Sequence, residues 1–164
     1  MLIVSFFPDL TTQPRTIKFS AGEVHPNIRV PSDIEAAKIY AVIRSSDDLM
    51  ELLLTVSALR NQTSPALPVV LELPYLPSSR QDRVCSEGDG FGLEVIGALL
   101  NTCNFAAIET YDVHSVQAFN FVDKLKERTQ LQCVQDYPYL LARLRGLYNQ
   151  NAVMVPRCSK HFWK

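Results

Sequence analysis

Short apolar runs alternate along this chain with stretches in which leucines recur every three or four positions. That alternation predicts an α/β protein in which crossover helices join the strands of a parallel sheet. The run Met1-Leu2-Ile3-Val4-Ser5-Phe6-Phe7 has no positively charged lead and stops at Pro8, so it reads as a first strand and not as a signal peptide. Thr16 to Ser20 and Val24 to Val30 flank Ala21-Gly22-Glu23, the makings of an amino-terminal hairpin. Lys38 to Ile43 is a third run rich in β-formers. Ser45-Ser46-Asp47-Asp48 offers N-caps for a helix from Leu49 to Arg60, with Leu49, Leu52, Leu53, Val56 and Leu59 on one face.

Further on, Leu67 to Leu73 is apolar enough to read as a strand covered on both faces. A long polar loop, Pro74 to Gly90, leads to a helix over Leu93 to Asn101 and a strand over Ala106 to Tyr111. A short helical segment near Val116 to Phe121 and a strand near Gln132 to Val134 follow. A helix over Tyr139 to Tyr148 and a strand starting at Ala152 to Val155 end the series.

Composition narrows the partners more than the fold. Apolar residues make up 47% of the chain, charged residues 20%, and the formal net charge is -1, which leaves no broad basic surface for nucleic acid. No apolar run is long enough to span a membrane. The cysteines, Cys85, Cys103, Cys133 and Cys158, are widely spaced with no Cys-x-x-Cys pair. That suits reduced thiols in a cytoplasm better than zinc or a disulfide framework. Glycines are scarce, and neither G-x-G-x-x-G nor a P-loop is present.

Candidate chemistry gathers at two strand ends, where open α/β sheets bind their ligands. The first is Pro74-Tyr75-Leu76-Pro77-Ser78-Ser79-Arg80-Gln81-Asp82-Arg83, in which arginine forks suit phosphate and Gln81 could read a base edge. The same charges would also suit a solvated loop whose arginines pair with Asp82, Glu87 and Asp89. The second is Asp112-Val113-His114-Ser115, where a carboxylate beside an imidazole could face a divalent ion or a polyphosphate. A lone histidine is as readily structural, and His25 and His161 have no organised carboxylate partner. Phe19-Ser20-Ala21-Gly22-Glu23 reads most simply as a turn, with Gly22 supplying the permissive backbone.

In this order the three segments resemble the amino-terminal half of the ribose-phosphate pyrophosphokinases, or phosphoribosyl pyrophosphate synthetases. That family carries a Phe-Pro-Asp-Gly-Glu turn, a Pro-Tyr-x-x-Tyr-x-Arg-Gln-Asp-Arg loop and a strand ending Asp-Leu-His. The likeness runs over roughly residues 15 to 125, and Glu87-Gly88-Asp89 with His114-Ser115 look closer to divergent phage members. The resemblance implies a type I phosphoribosyltransferase-like parallel sheet with crossover helices. It implies that Arg80, Gln81 and Asp82 bind the nucleotide, with Arg80 near the phosphates. His114 and Asp112 would lie at the Mg2+ of Mg-ATP. Phe19 and Glu23 would serve the adenine site of a neighbouring subunit in a homo- or hetero-oligomer. The reaction implied is transfer of the β,γ-diphosphoryl group of ATP to the 1-hydroxyl of ribose 5-phosphate, in the cytoplasm (the host's, for a viral member).

Departures from the pattern shape the expectation. Ala21 stands where the family's turn has an aspartate, and Arg157 follows Pro156 where the family has Pro-Asp-x-Gly. The family's later catalytic and ribose-phosphate loops have no counterpart here. The sequence therefore reads as an ATP-binding domain over residues 1–148, followed at 149–164 by a truncated second domain or an aberrant tail. Such a chain is expected to be inactive alone, needing a carboxyl-terminal half to bind ribose 5-phosphate. The alternatives are a non-catalytic nucleotide-binding or regulatory homologue, or diphosphorylation of another ribose 5-phosphate ester such as ADP-ribose.

Overall fold

The computed structural model describes residues 1–8, 10–129 and 132. A six-stranded sheet runs in the order β2-β1-β5-β6-β7-β8. Its strands are β1 (Leu2–Phe7), β2 (Leu10–Thr12), β5 (Ala36–Ala41), β6 (Val69–Leu73), β7 (Ala107–Tyr111) and β8 (Leu125–Arg128). β5 to β8 are mutually parallel, whereas β1 pairs antiparallel with both β2 and β5. β3 (Arg15–Lys18) and β4 (Val24–Asn27) form the expected hairpin as a separate antiparallel ribbon. Three helices make the crossovers: α1 (Ser46–Arg60), α2 (Gly92–Thr102) and the short α3 (Ala118–Phe121). Because β5 to β8 lie side by side in chain order, right-handed crossovers put these helices on one face of the sheet.

That face is the apolar one. Val4, Phe6, Ala37, Ile39, Val69, Leu71, Leu73 and Ile108 are buried there with Leu52, Val56 and Leu59 of α1 and Leu93 and Leu100 of α2. α1 starts at Ser46, three residues before the expected Leu49, with Ser45, one of the expected caps, as its N-cap. The Ser45 side chain accepts the Asp48 N–H at 3.2 Å, and Asp48 accepts the Ser45 N–H at 2.9 Å, closing a capping box.

The opposite face corrects the expectation for Leu67 to Leu73. β6 alternates buried and half-buried residues, and Glu72 points away from the helices with Lys38, Glu109 and Tyr111. Lys38 Nζ lies 2.6 Å from Glu72 Oε2 and 3.2 Å from Glu109 Oε2, and the Tyr111 hydroxyl donates to Glu72. Burial alone would raise the Glu72 carboxyl. The hydrogen bonds from Lys38 and Tyr111 and the charges of Lys38 and Arg128 outweigh that and hold it below the ordinary value.

Two further strands depart from the expected pattern. β2 follows Pro8 as a short exposed edge, and β8 comes several residues before the strand expected near Gln132 to Val134. Gln132 itself is helical, and the remainder of that run lies outside the described residues. The helix expected over Tyr139 to Tyr148, the strand from Ala152 and the domain division at residue 148 also fall outside them.

Among the described residues, two buried hydroxyls, Thr55 Oγ1 and Thr110 Oγ1, have no hydrogen-bond partner. An unpaired buried hydroxyl costs stability that an isosteric methyl does not. Thr110→Val is therefore expected to leave stability unchanged or raise it by about 1 kcal/mol in urea unfolding. A clear loss would reveal a partner for this hydroxyl.

Candidate functional site

Two connections at the carboxyl ends of adjacent strands β6 and β7 form the site. After Leu73 the chain buries Leu76 and Ser79, and these two anchors hold the loop to the protein. Ser79 is 2% exposed, so a small residue is needed there for the turn to close. Ser78 adopts a left-handed backbone at φ 56°, and its carbonyl accepts the Gln81 N–H at 2.8 Å. Non-glycine residues rarely adopt that conformation, and it concentrates in turns and functional loops. The Gln81 carbonyl then accepts the first-turn N–H of Leu93 at 3.2 Å, setting the turn at the amino end of α2. The Gln81 amide lies over Gly92, where a Cβ would stand 1.9 Å from Gln81 Oε1.

The charges in this loop divide. Arg80 is exposed and, among the described residues, has no carboxylate within ion-pair distance. Arg83 does pair locally, with its Nε 3.2 Å from Asp82 Oδ1. Asp82 is half-buried. The Ser115 hydroxyl beside it, and after that the Arg83 charge, hold its carboxyl below the ordinary range against the opposing effect of burial.

The second connection leaves β7 through Asp112, again left-handed at φ 44°. The Asp112 N–H reaches the Arg128 carbonyl at 3.4 Å, and the Val113 N–H donates to Glu127 Oε1 at 3.0 Å. With Val113 buried beneath it, His114 is exposed. Asp112 and His114 therefore share one turn, as the sequence indicates. Among the described residues, no group of three or more His, Cys, Asp or Glu side chains could hold a metal by itself. A magnesium ion fits here only in the form in which it accompanies a polyphosphate, with phosphate and water oxygens supplying most of its ligands.

Phe19 and Glu23 lie elsewhere, at the tip of the β3–β4 ribbon. The Phe19 N–H donates to the Glu23 carbonyl at 2.8 Å, Gly22 takes φ 96°, and Phe19 is half exposed. The ribbon is tethered to the first turns of α1. Lys18 pairs with Asp47, and Thr16 Oγ1 donates to Glu51 at 2.5 Å. Since α1 starts at the carboxyl end of β5, the ribbon tip lies at the same end of the sheet as the two loops, on the far side of α1. The structure thus brings Arg80, Gln81, Asp82, Asp112 and His114 together and leaves Phe19 and Glu23 apart from them. Sequence reading missed Glu127 as a partner of the second turn, because only the register of β8 reveals it.

Ribose-phosphate pyrophosphokinases of several bacteria match about two thirds of this chain. Ribose-phosphate pyrophosphokinase 2 of Enterococcus faecalis is 30% identical over 110 residues, 65% of this chain and 33% of its own length. The ribose-phosphate pyrophosphokinase of Helicobacter pylori is 31% identical over 110 residues, with the same coverage. This chain is a partial-length relative of the ribose-phosphate pyrophosphokinases. It spans about a third of the length of these curated relatives. Phosphoribosylpyrophosphate synthetase from Mycobacterium smegmatis superposes with a TM-score of 0.63 at 20% identity, covering 77% of this chain and 43% of that one. The pyrophosphokinase-related chain therefore has the α/β, phosphoribosyltransferase-like fold that its sequence indicates. No family model matches it.

Proposed function

We propose that this chain supplies the nucleotide-holding side of a ribose-phosphate diphosphokinase site, binding Mg-ATP between the loop after β6 and the turn after β7. One observation carries the reading. Arg80 and His114, both exposed, stand in the turns at the carboxyl ends of neighbouring parallel strands. The Arg80 guanidinium suits the phosphates, and the amino end of α2 beneath it adds a favourable field for anions. Asp112 and His114 would face the magnesium, which when bound neutralises charge on the transferring group. The chain's own contribution is positioning and charge stabilisation for transfer of the β,γ-diphosphoryl group to the 1-hydroxyl of ribose 5-phosphate. Phe19 and Glu23, at the ribbon tip, would serve the adenine of a neighbouring copy.

A second reading, a nucleotide-binding homologue that associates with a synthetase without turnover, is favoured by Ala21 in place of the turn's aspartate. Incubation with Mg-ATP and ribose 5-phosphate separates the two: sugar-dependent AMP release supports diphosphoryl transfer, and nucleotide binding without AMP supports the homologue. Under both readings Arg80→Ala is expected to weaken Mg-ATP binding about tenfold, with an unchanged unfolding midpoint. Equal affinity in titration calorimetry would remove Arg80 from the site.

A further inference from the structure

His114 has no rigid element of its own. It sits on an exposed turn whose entry residue, Asp112, is held left-handed without being glycine. Such a backbone persists only where its surroundings determine it. A carboxylate from the neighbouring strand supplies part of that determination. Glu127 comes from β8, opposite Thr110 in the pairing with β7, and its Oε1 takes the Val113 N–H at 3.0 Å.

We infer that Glu127 is a positioning residue, a clamp that fixes the Asp112-to-Ser115 turn so that Arg80 and His114 meet one polyphosphate at a set spacing. This rests on the reading that the crevice binds Mg-ATP. The clamp works through an acceptor oxygen of Glu127, which takes the Val113 backbone N–H. A glutamine amide oxygen can take the same bond.

The test uses the full chain with Mg-ATP as the probe. Glu127→Ala should weaken binding about fivefold, the effect of losing one hydrogen bond. Glu127→Gln should stay within about twofold of the unaltered protein. Hydrogen exchange at the Val113 amide should quicken in Glu127→Ala and not in Glu127→Gln. In a His114→Ala background, Glu127→Ala should weaken binding no further, because the clamp acts through that turn. Thermal unfolding of each variant separates loss of the clamp from loss of the fold, and Glu127→Gln provides the milder perturbation. Failure of the unaltered chain to bind Mg-ATP would overturn the functional reading and the clamp with it. If the unaltered chain binds and Glu127→Ala binds equally well, or if its effect adds fully to that of His114→Ala, the clamp alone is wrong.

Discussion

Gly97→Ala is expected to destabilise the protein by about 2 kcal/mol, even though alanine is the better helix former. Gly97 lies midway along α2, where a Cβ would stand 2.5 Å from the backbone oxygen of Phe121 and 2.9 Å from its carbonyl carbon. Neither atom belongs to a flexible side chain, so one of the two helices has to move. Phe121 is not free to yield. Its carbonyl accepts the Asn101 side-chain amide at 3.0 Å, Asn101 Oδ1 takes the Asp123 N–H at 2.9 Å, and its ring packs edge-on against Phe91 at 4.9 Å. The steric cost therefore exceeds the roughly 1 kcal/mol of helix propensity gained. For a chain of this size the unfolding midpoint should drop by about 6 °C, measurable by circular dichroism. An equal or higher midpoint would show that α2 and α3 do not meet as described.

Lys38→Met is expected to have a comparable effect for an electrostatic reason. Glu72 and Glu109 are directly paired across β6 and β7, so removing the ammonium between them leaves two like charges opposite one another. Breaking a fully buried pair is more costly than this. Here the groups retain some solvent, and about 2 kcal/mol near neutral pH is the expected loss. The dependence on acid distinguishes this from lost packing. The folded-state carboxyl of Glu72 lies below its ordinary value of 4.5, so its contribution is present above that pH and is lost as the pH falls through the folded value. Burial tends to lower the Lys38 ammonium, but the hydrogen bonds and charges of Glu72 and Glu109 raise it overall, so its share persists until strongly alkaline pH. The difference between Lys38→Met and the unaltered protein should therefore shrink as the pH drops below 4.5 in urea titrations. A difference independent of pH would mean that the ion network contributes nothing.

What the sequence made legible followed from periodicity and from residue type. The leucine spacing of α1, the Ser45 cap, the hairpin around Gly22 and the apolar halves of β1, β5 and β6 all leave marks that a linear reading detects. The two candidate loops were visible because arginine, aspartate and histidine at strand ends are chemically conspicuous. β8 left no such mark. Three of its four residues are charged, so it offers no apolar rhythm, and the nearby Gln132 to Val134 drew the assignment instead. β2 is equally silent, a short edge strand with mostly exposed side chains. Glu127 was hidden for a related reason. It acts across elements, and its role depends on a pairing register that no local pattern encodes. The place of Glu72 was hidden because the run Leu67 to Leu73 is otherwise apolar and reads as a strand covered on both faces.

The ion network on the face opposite the helices also bears on how the sheet reaches its correct alignment. A slip of one residue between β5 and β6 would carry Lys38 and Glu72 into the apolar layer, and burial alone forbids it. A slip of two residues is harder to reject, because every side chain then keeps its own face. The aliphatic residues of β5 and β6 resemble one another closely enough that such an alignment would bury nearly the same surface. It would, however, move Lys38 away from Glu72 by two residues of strand, leaving the carboxylates of β6 and β7 without their common cation. The half-buried charges thus act as a folding checkpoint that rejects the one misalignment hydrophobicity tolerates. By doing so they hold the carboxyl end of β5, and the start of α1 that follows it, level with the loop that carries Arg80.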